Sequence, residues 1–200
     1  MKLIYSQTSP FVRKVLVLLH ETGQLADVTL EAAATTPVAP SPDVRAANPL
    51  GKIPVLERGD GPALYDSRVI CAYLDARGSS GLYGRGWDSK VLEATADGIM
   101  DAAVLMSYEK RLRPEDKRWD EWLEGQKAKV LDGCATLEAR WMSHLQGKLD
   151  IGQIATACAL AYLDFRHPET GWRQRCGALA DWFDGFESRA SMQATKPPAA

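Results

Sequence analysis

A change of hydrophobic period limits most what this chain can fold into, and it falls at the glycine-rich stretch 78–87, Gly-Ser-Ser-Gly-Leu-Tyr-Gly-Arg-Gly-Trp. Before it, apolar residues come in short runs divided by turn residues, with helical stripes between some of them. After it, the apolar patterns keep the 3.6-residue spacing of a helix. Such a chain is expected to form an α/β unit over 1–77, a linker over 78–87 and an all-helical unit over 88–200.

In the first part Lys2 to Ser6 reads as a short strand. Pro10 to Thr22 reads as a helix, because Val12, Val15, Leu16 and Leu19 stand at i, i+3, i+4 and i+7, with Gly23 as its stop. Val28 to Glu31 is a second strand, followed by a loop over 32–50 with a short helix near Pro42–Ala47. Ile53–Leu56 and Ala63–Tyr65, separated by Glu-Arg-Gly-Asp-Gly-Pro, read as a hairpin. Asp66-Ser67 then opens a helix carrying Val69, Ile70, Tyr73 and Leu74. The order is β-α-β, a crossover with a short helix, then β-β-α, which is that of a thioredoxin-like fold.

In the second part Leu92, Ala96, Ile99, Ala103 and Met106 mark one face of a long helix. Pro114 interrupts the pattern, which resumes with Leu123, Val130, Cys134, Leu137 and Trp141. Asp150-Ile-Gly-Gln153 has the layout of a capping box and opens a helix that is apolar or small nearly all round, as a central buried helix should be. A last amphipathic helix covers Leu179 to Phe186, and the residues from Lys196 read as a tail.

Composition removes several functions. With 24 basic against 26 acidic residues the net charge is −2, so no global field draws the chain to nucleic acid or an anionic membrane. Arg13-Lys14 and Lys110-Arg111 are the nearest candidates for a local basic patch. The apolar stretch after Met1-Lys2 is too short for a signal-peptide core, and Val15–Leu19 is too short to span a membrane, so a cytoplasmic location is expected. Cys71, Cys134, Cys158 and Cys176, like His20, His144 and His167, are scattered without metal-ligand spacing. Buried free thiols and no metal site are expected.

Three segments carry candidate chemistry. In Thr8-Ser9-Pro10-Phe11-Val12-Arg13, proline suits the first helical position and Ser9 the cap before it. Ser9 is thus either a cap alone or also a donor to an anion held at the positive helix end. In Asn48-Pro-Leu-Gly-Lys-Ile-Pro-Val-Leu56, Pro54 interrupts a strand, which marks either an edge or a cis Ile53–Pro54 bond. The second would turn the Ile53 backbone outward to pair with an extended peptide. In Tyr65-Asp-Ser-Arg68, Asp66 and Ser67 are either caps or hold the carboxylate and ammonium of a ligand.

The strings TSPFVRKV, NPLGKIPVL and YDSRVICAYL, in this order ahead of a helical half, resemble the glutathione-transferase family. The likeness continues in IATACALAYLDFRHP and RASMQATKPP, which are similar to bacterial members. The resemblance implies the glutathione-transferase fold, glutathione as a substrate, and a role in detoxification. It implies that Ser9 hydrogen-bonds the glutathione sulfur, with Phe11 beside it. Ile53, before a cis Pro54, would pair with the cysteinyl backbone; Ser67 and Asp66 would hold the γ-glutamyl end; Lys52 would reach the glycyl carboxylate. Tyr5 and Thr8 stand close enough in sequence to take the place of Ser9. The second substrate, a small and largely apolar electrophile, would lie against the first long helix of the helical half, where Tyr108 and Arg111 are candidates.

The chemistry implied is the production of a thiolate near neutral pH. A cysteine thiol has a pKa of about 8.5, and lowering it by about two units requires about 2.7 kcal/mol of preferential anion stabilisation. A hydrogen bond to a charged acceptor contributes about 1.5–3 kcal/mol and a helix N-terminus about 0.3–1, so no general base is required. A glutathione-dependent reductase would place a cysteine where Ser9 stands; an isomerase or dehalogenase needs none. A non-enzymatic adaptor on the same fold is the rival from another class. The resemblance also implies a homodimer.

Overall fold

The structure, a computed structural model, describes residues 1–198; Ala199 and Ala200, the end of the expected tail, lie outside the described residues. Packing groups Met1–Gly84 with residues 190–198 in one unit and Arg85–Arg189 in another.

The first unit is built on β1 (Lys2–Tyr5), whose Leu3 and Ile4 are buried. It pairs in parallel with β2 (Thr29–Ala32) and antiparallel with β3 (Val55–Arg58), and β3 pairs antiparallel with β4 (Gly61–Leu64). The sheet order is therefore β2-β1-β3-β4. Lys2 fixes the register from the surface, with ion pairs of 3.0 Å to Glu31 on β2 and 2.9 Å to Glu57 on β3. A parallel neighbour requires a crossover, and α1 (Pro10–Glu21) supplies it. α2 (Pro42–Ala47) buries Val44 against Ile4 and Val55, and α3 (Ser67–Gly78) packs beside α1. The expected thioredoxin-like order β-α-β-α-β-β-α forms. One detail is corrected: β3 begins at Val55, so Pro54 precedes the strand and removes no ladder hydrogen bond.

The second unit is helical throughout, with α4 (Gly86–Leu112), α5 (Asp120–Leu145), α6 (Ile151–Arg166), the short α7 (Trp172–Arg175) and α8 (Gly177–Glu187). α6 is the buried centre, with every residue from Ile151 to Leu163 out of solvent. Its capping box is complete: the Gln153 N–H donates to Asp150 Oδ1 and the Asp150 N–H to Gln153 Oε1, both at 3.0 Å. His144 Nε2, at 2.6 Å from Asp150 Oδ2, ties the end of α5 to the same carboxylate. α9 (Ala190–Ala194), not foreseen from the sequence, packs on α1 in the first unit.

Candidate functional site

Strand direction gathers the three predicted segments. β1 ends at Tyr5, beside which the antiparallel β3 begins, and the hairpin returns β4 to finish at the same end. Register places Ile4 opposite Val55, and Leu56 opposite Leu64. Continued past the strands, it brings Tyr5, Pro54 and Asp66 to one level. The start of α1, the stretch before β3 and the start of α3 thus meet at one end of the sheet.

Ser9 caps α1 with its oxygen accepting the Val12 N–H at 3.3 Å. That bond uses a lone pair and leaves the hydroxyl proton free to donate, so capping and anion binding are compatible in one side chain. Phe11, half-buried, occupies the first turn. Thr8 is engaged with Ser6 through their hydroxyls at 3.3 Å. Arg13 and Lys14 do not form the local basic patch considered from the sequence, because they are 5% and 0% exposed.

The Ile53–Pro54 bond is cis. Ile53 is half-buried, stands outside the β3 ladder and, among the described residues, takes part in none of the loop hydrogen bonds. Lys52 is exposed; its carbonyl accepts from Asn48 Nδ2 at 2.9 Å, while Asn48 Oδ1 takes the Leu50 N–H at 3.0 Å. Asn48 thereby shapes the loop that presents Lys52 and Ile53.

Asp66 caps α3 by accepting the Arg68 N–H at 3.0 Å, and its other oxygen pairs with the Arg68 guanidinium at 2.9 Å. Burial pushes the carboxyl up, but these bonds to Arg68, and Lys14 with them, outweigh burial and hold Asp66 below its ordinary pKa. The Tyr65–Asp66 peptide is also cis, a feature with no sequence signal since cis bonds away from proline are rare. Ser67 follows at the first helical position, 2% exposed, and its hydroxyl has no hydrogen-bond partner among the described residues. With no protein group bonded to it, this hydroxyl can donate to a ligand at the start of α3.

Tyr108 and Arg111 lie in the helical unit, in the last two turns of α4. Tyr108 is half-buried, and burial raises its pKa with Arg111 pulling the other way. Behind them is a buried network that sequence reading missed. Ser107 Oγ lies 3.0 Å from the Tyr162 hydroxyl and 2.9 Å from His167 Nε2, and His167 Nε2 also lies 2.8 Å from the Ala103 carbonyl. The members are about sixty residues apart, so only the i, i+4 spacing of Tyr162 and Arg166 along an otherwise apolar helix could have drawn notice. Among the described residues no group of three or more His, Cys, Asp or Glu side chains could hold a metal ion.

Residues 8–77 match the family model described as glutathione S-transferase, N-terminal domain, and residues 120–185 the one described as glutathione S-transferase, C-terminal domain. The chain is 34% identical to the Escherichia coli K12 protein named uncharacterized GST-like protein YibF, with 100% of both sequences covered. A solved glutathione transferase family member from Pseudomonas fluorescens Pf-5, with bound glutathione, is 48% identical and superposes with a TM-score of 0.93 over 99% of each chain. A structure under the same description, with bound S-(propanoic acid)-glutathione, is 46% identical with a TM-score of 0.89 over 100% of each.

Proposed function

The chain belongs to the glutathione S-transferase family, and from that premise we propose that it joins the glutathione thiolate to a small, largely apolar electrophile. The single observation that carries this reading is the Ser67 hydroxyl, which stands at the positive end of α3 on a residue 2% exposed and has no hydrogen-bond partner among the described residues. A ligand carboxylate supplies the missing acceptor. Asp66, kept ionised by Arg68, attracts the ammonium of the same γ-glutamyl group. Ile53 offers its backbone N–H and C=O to the cysteinyl residue, and Lys52 its ammonium to the glycyl carboxylate.

Catalysis on this reading is electrostatic. The thiol sits at the α1 N-terminus, the Ser9 proton points to sulfur, and the two together favour the anion. The electrophile is received by the helical unit at Tyr108 and Arg111. The P. fluorescens structure that holds a glutathione already substituted on sulfur supports a site that accepts conjugates. A homodimer and a cytoplasmic location belong to the same proposal and rest on the family resemblance.

Calorimetric titration of glutathione into wild type and Ser67→Ala tests it. Micromolar-to-millimolar binding that weakens at least tenfold in the variant is expected. A folded wild type that does not bind glutathione would leave a non-enzymatic adaptor as the better reading.

A further inference from the structure

The loop between α2 and β3 is shaped by one side chain. Asn48, 2% exposed at the C-terminal cap of α2, engages both ends of its amide: Oδ1 accepts the Leu50 N–H at 3.0 Å, and Nδ2 donates to the Lys52 carbonyl at 2.9 Å. Its backbone is held as well, the N–H donating to the Val44 carbonyl and the carbonyl accepting the Gly51 N–H, both at 2.8 Å. The chain turns back through Gly51 at a φ of 65°, in the left-handed region that glycine adopts without strain. The two side-chain partners also fix which way the amide faces, since a backbone N–H only donates and a carbonyl only accepts.

We propose that Asn48 is a positioning residue for the thiol substrate: by holding the Lys52 carbonyl it aims the Ile53 N–H at the cysteinyl carbonyl of glutathione. This rests on the transferase reading above and adds to that site a part that touches no substrate itself. The Lys52–Ile53 peptide is trans, and in a planar trans peptide the C=O and the N–H point in opposite directions. With the carbonyl bonded to a buried side chain, the Ile53 N–H points away from that side chain. It has no partner among the described residues, neither in the β3 ladder nor in the loop.

Thr35 marks the limit of the role. Its hydroxyl donates to the Gly51 carbonyl at 3.0 Å and so fixes the peptide before, Gly51–Lys52. The Lys52–Ile53 peptide is left to Asn48: among the described residues the Lys52 carbonyl has no other donor. Without the Nδ2–H this peptide can rotate about its flanking bonds, and a ligand carbonyl then binds only at the cost of ordering it. The loss falls on ligands that carry that carbonyl and spares the others, because Ser9 stands at the start of α1 and Asp66 and Ser67 at the start of α3.

The test compares two thiols by calorimetry, with glutathione itself as reference. γ-Glutamylcysteine N-methylamide keeps the cysteinyl carbonyl and γ-glutamylcysteamine lacks it; both end without a charge, so the Lys52 ammonium stays out of the comparison. Wild type should bind the amide about five- to tenfold more tightly, the worth of one well-placed hydrogen bond. In Asn48→Ala that ratio should fall to about twofold or less, the mark of coupling between Asn48 and the ligand carbonyl. Asn48→Ser keeps an acceptor for the Leu50 N–H but is too short for the Lys52 carbonyl; it guards against misfolding of the alanine variant and should show the same fall. Thr35→Val, which loosens the loop one peptide earlier, should keep the wild-type ratio. Asn48 variants that weaken both thiols alike, with the ratio intact, overturn the aiming role and reduce Asn48 to a support of the loop. A wild type that binds glutathione but does not distinguish the two thiols overturns it as well, and either result leaves the transferase reading standing. A wild type that binds neither glutathione nor the two thiols overturns both.

Discussion

Ser9 has two duties that pull on different observables. As a cap it satisfies the Val12 N–H, and replacing it by alanine costs about 0.5–2 kcal/mol of stability. As a donor to sulfur it contributes about 1.5–3 kcal/mol to the thiolate, or about one to two pKa units of the bound thiol. Ser9→Ala should therefore raise the thiol pKa, slow conjugation by about ten- to a hundredfold near neutral pH, and leave glutathione affinity little changed. The loss should shrink as pH rises and the thiolate forms unaided. Ser9→Asp separates the duties, since aspartate caps well but places a negative charge beside the sulfur: stability returns while the thiol pKa rises further. A pH–rate profile unchanged in Ser9→Ala would move the role to Thr8 or Tyr5. That Ser9 caps a helix was legible in the sequence, because a cap is a contact three residues long. That its proton is left over, and that Ser67 has no partner, were not, because each depends on what else reaches the oxygen.

Between elements the same division holds. The capping box at Asp150 could be read from spacing alone, yet the glycine inside it has a meaning that only packing reveals. A Cβ on Gly152 would stand 2.7 Å from Leu92 Cβ and 3.0 Å from the Ser89 carbonyl, so α6 approaches α4 closely there. Neither atom is a flexible side-chain end, and relief requires the helices to part. Gly152→Ala gains about 0.5–1 kcal/mol in helix preference but loses about 1–3 to the clash, so net destabilisation is expected in denaturant unfolding. Gly98→Ala on α4 is the matched control: nothing lies within 4 Å of its Cβ, and it should stabilise by up to about 1 kcal/mol. If both substitutions shifted the midpoint alike, close approach would not be what Gly152 serves. Pro54 shows the converse. A proline in an apolar run signalled something special, but whether it lay in the strand or before it was decided by pairing with β1, more than fifty residues away.

At the scale of the molecule, the first unit is made from both ends of the sequence, and only the N-terminal part of it was legible. Residues 190–198 follow the helical stretch without a break in pattern, and chain continuity groups them with it; their contacts are with α1. What draws them there is a buried cation. Arg13, on the helix that Ser9 caps, donates to the Met192 carbonyl at 3.0 Å and to Thr195 Oγ1 at 3.4 Å, while Ser191 donates to Glu21. Met192 is itself fully buried. Ending the chain after Arg189 removes all of these and leaves the guanidinium without its acceptors and α1 without the segment that packs on it. The Met192 side chain alone is worth about 1.5–3 kcal/mol of burial and each hydrogen bond to the cation about 1.5–3, a large share of the about 5–15 kcal/mol that holds a domain together. The truncated chain should therefore show faster amide hydrogen exchange in α1 and weaker glutathione binding, while exchange in α4 and α6 stays as in the full chain. Met192→Ala, with its backbone carbonyl still in place, should move α1 in the same direction by less. Equal loss of protection in both units would mean that the C-terminal segment supports the molecule as a whole; unchanged exchange in α1 would mean that Arg13 finds other acceptors and the segment is dispensable to the site.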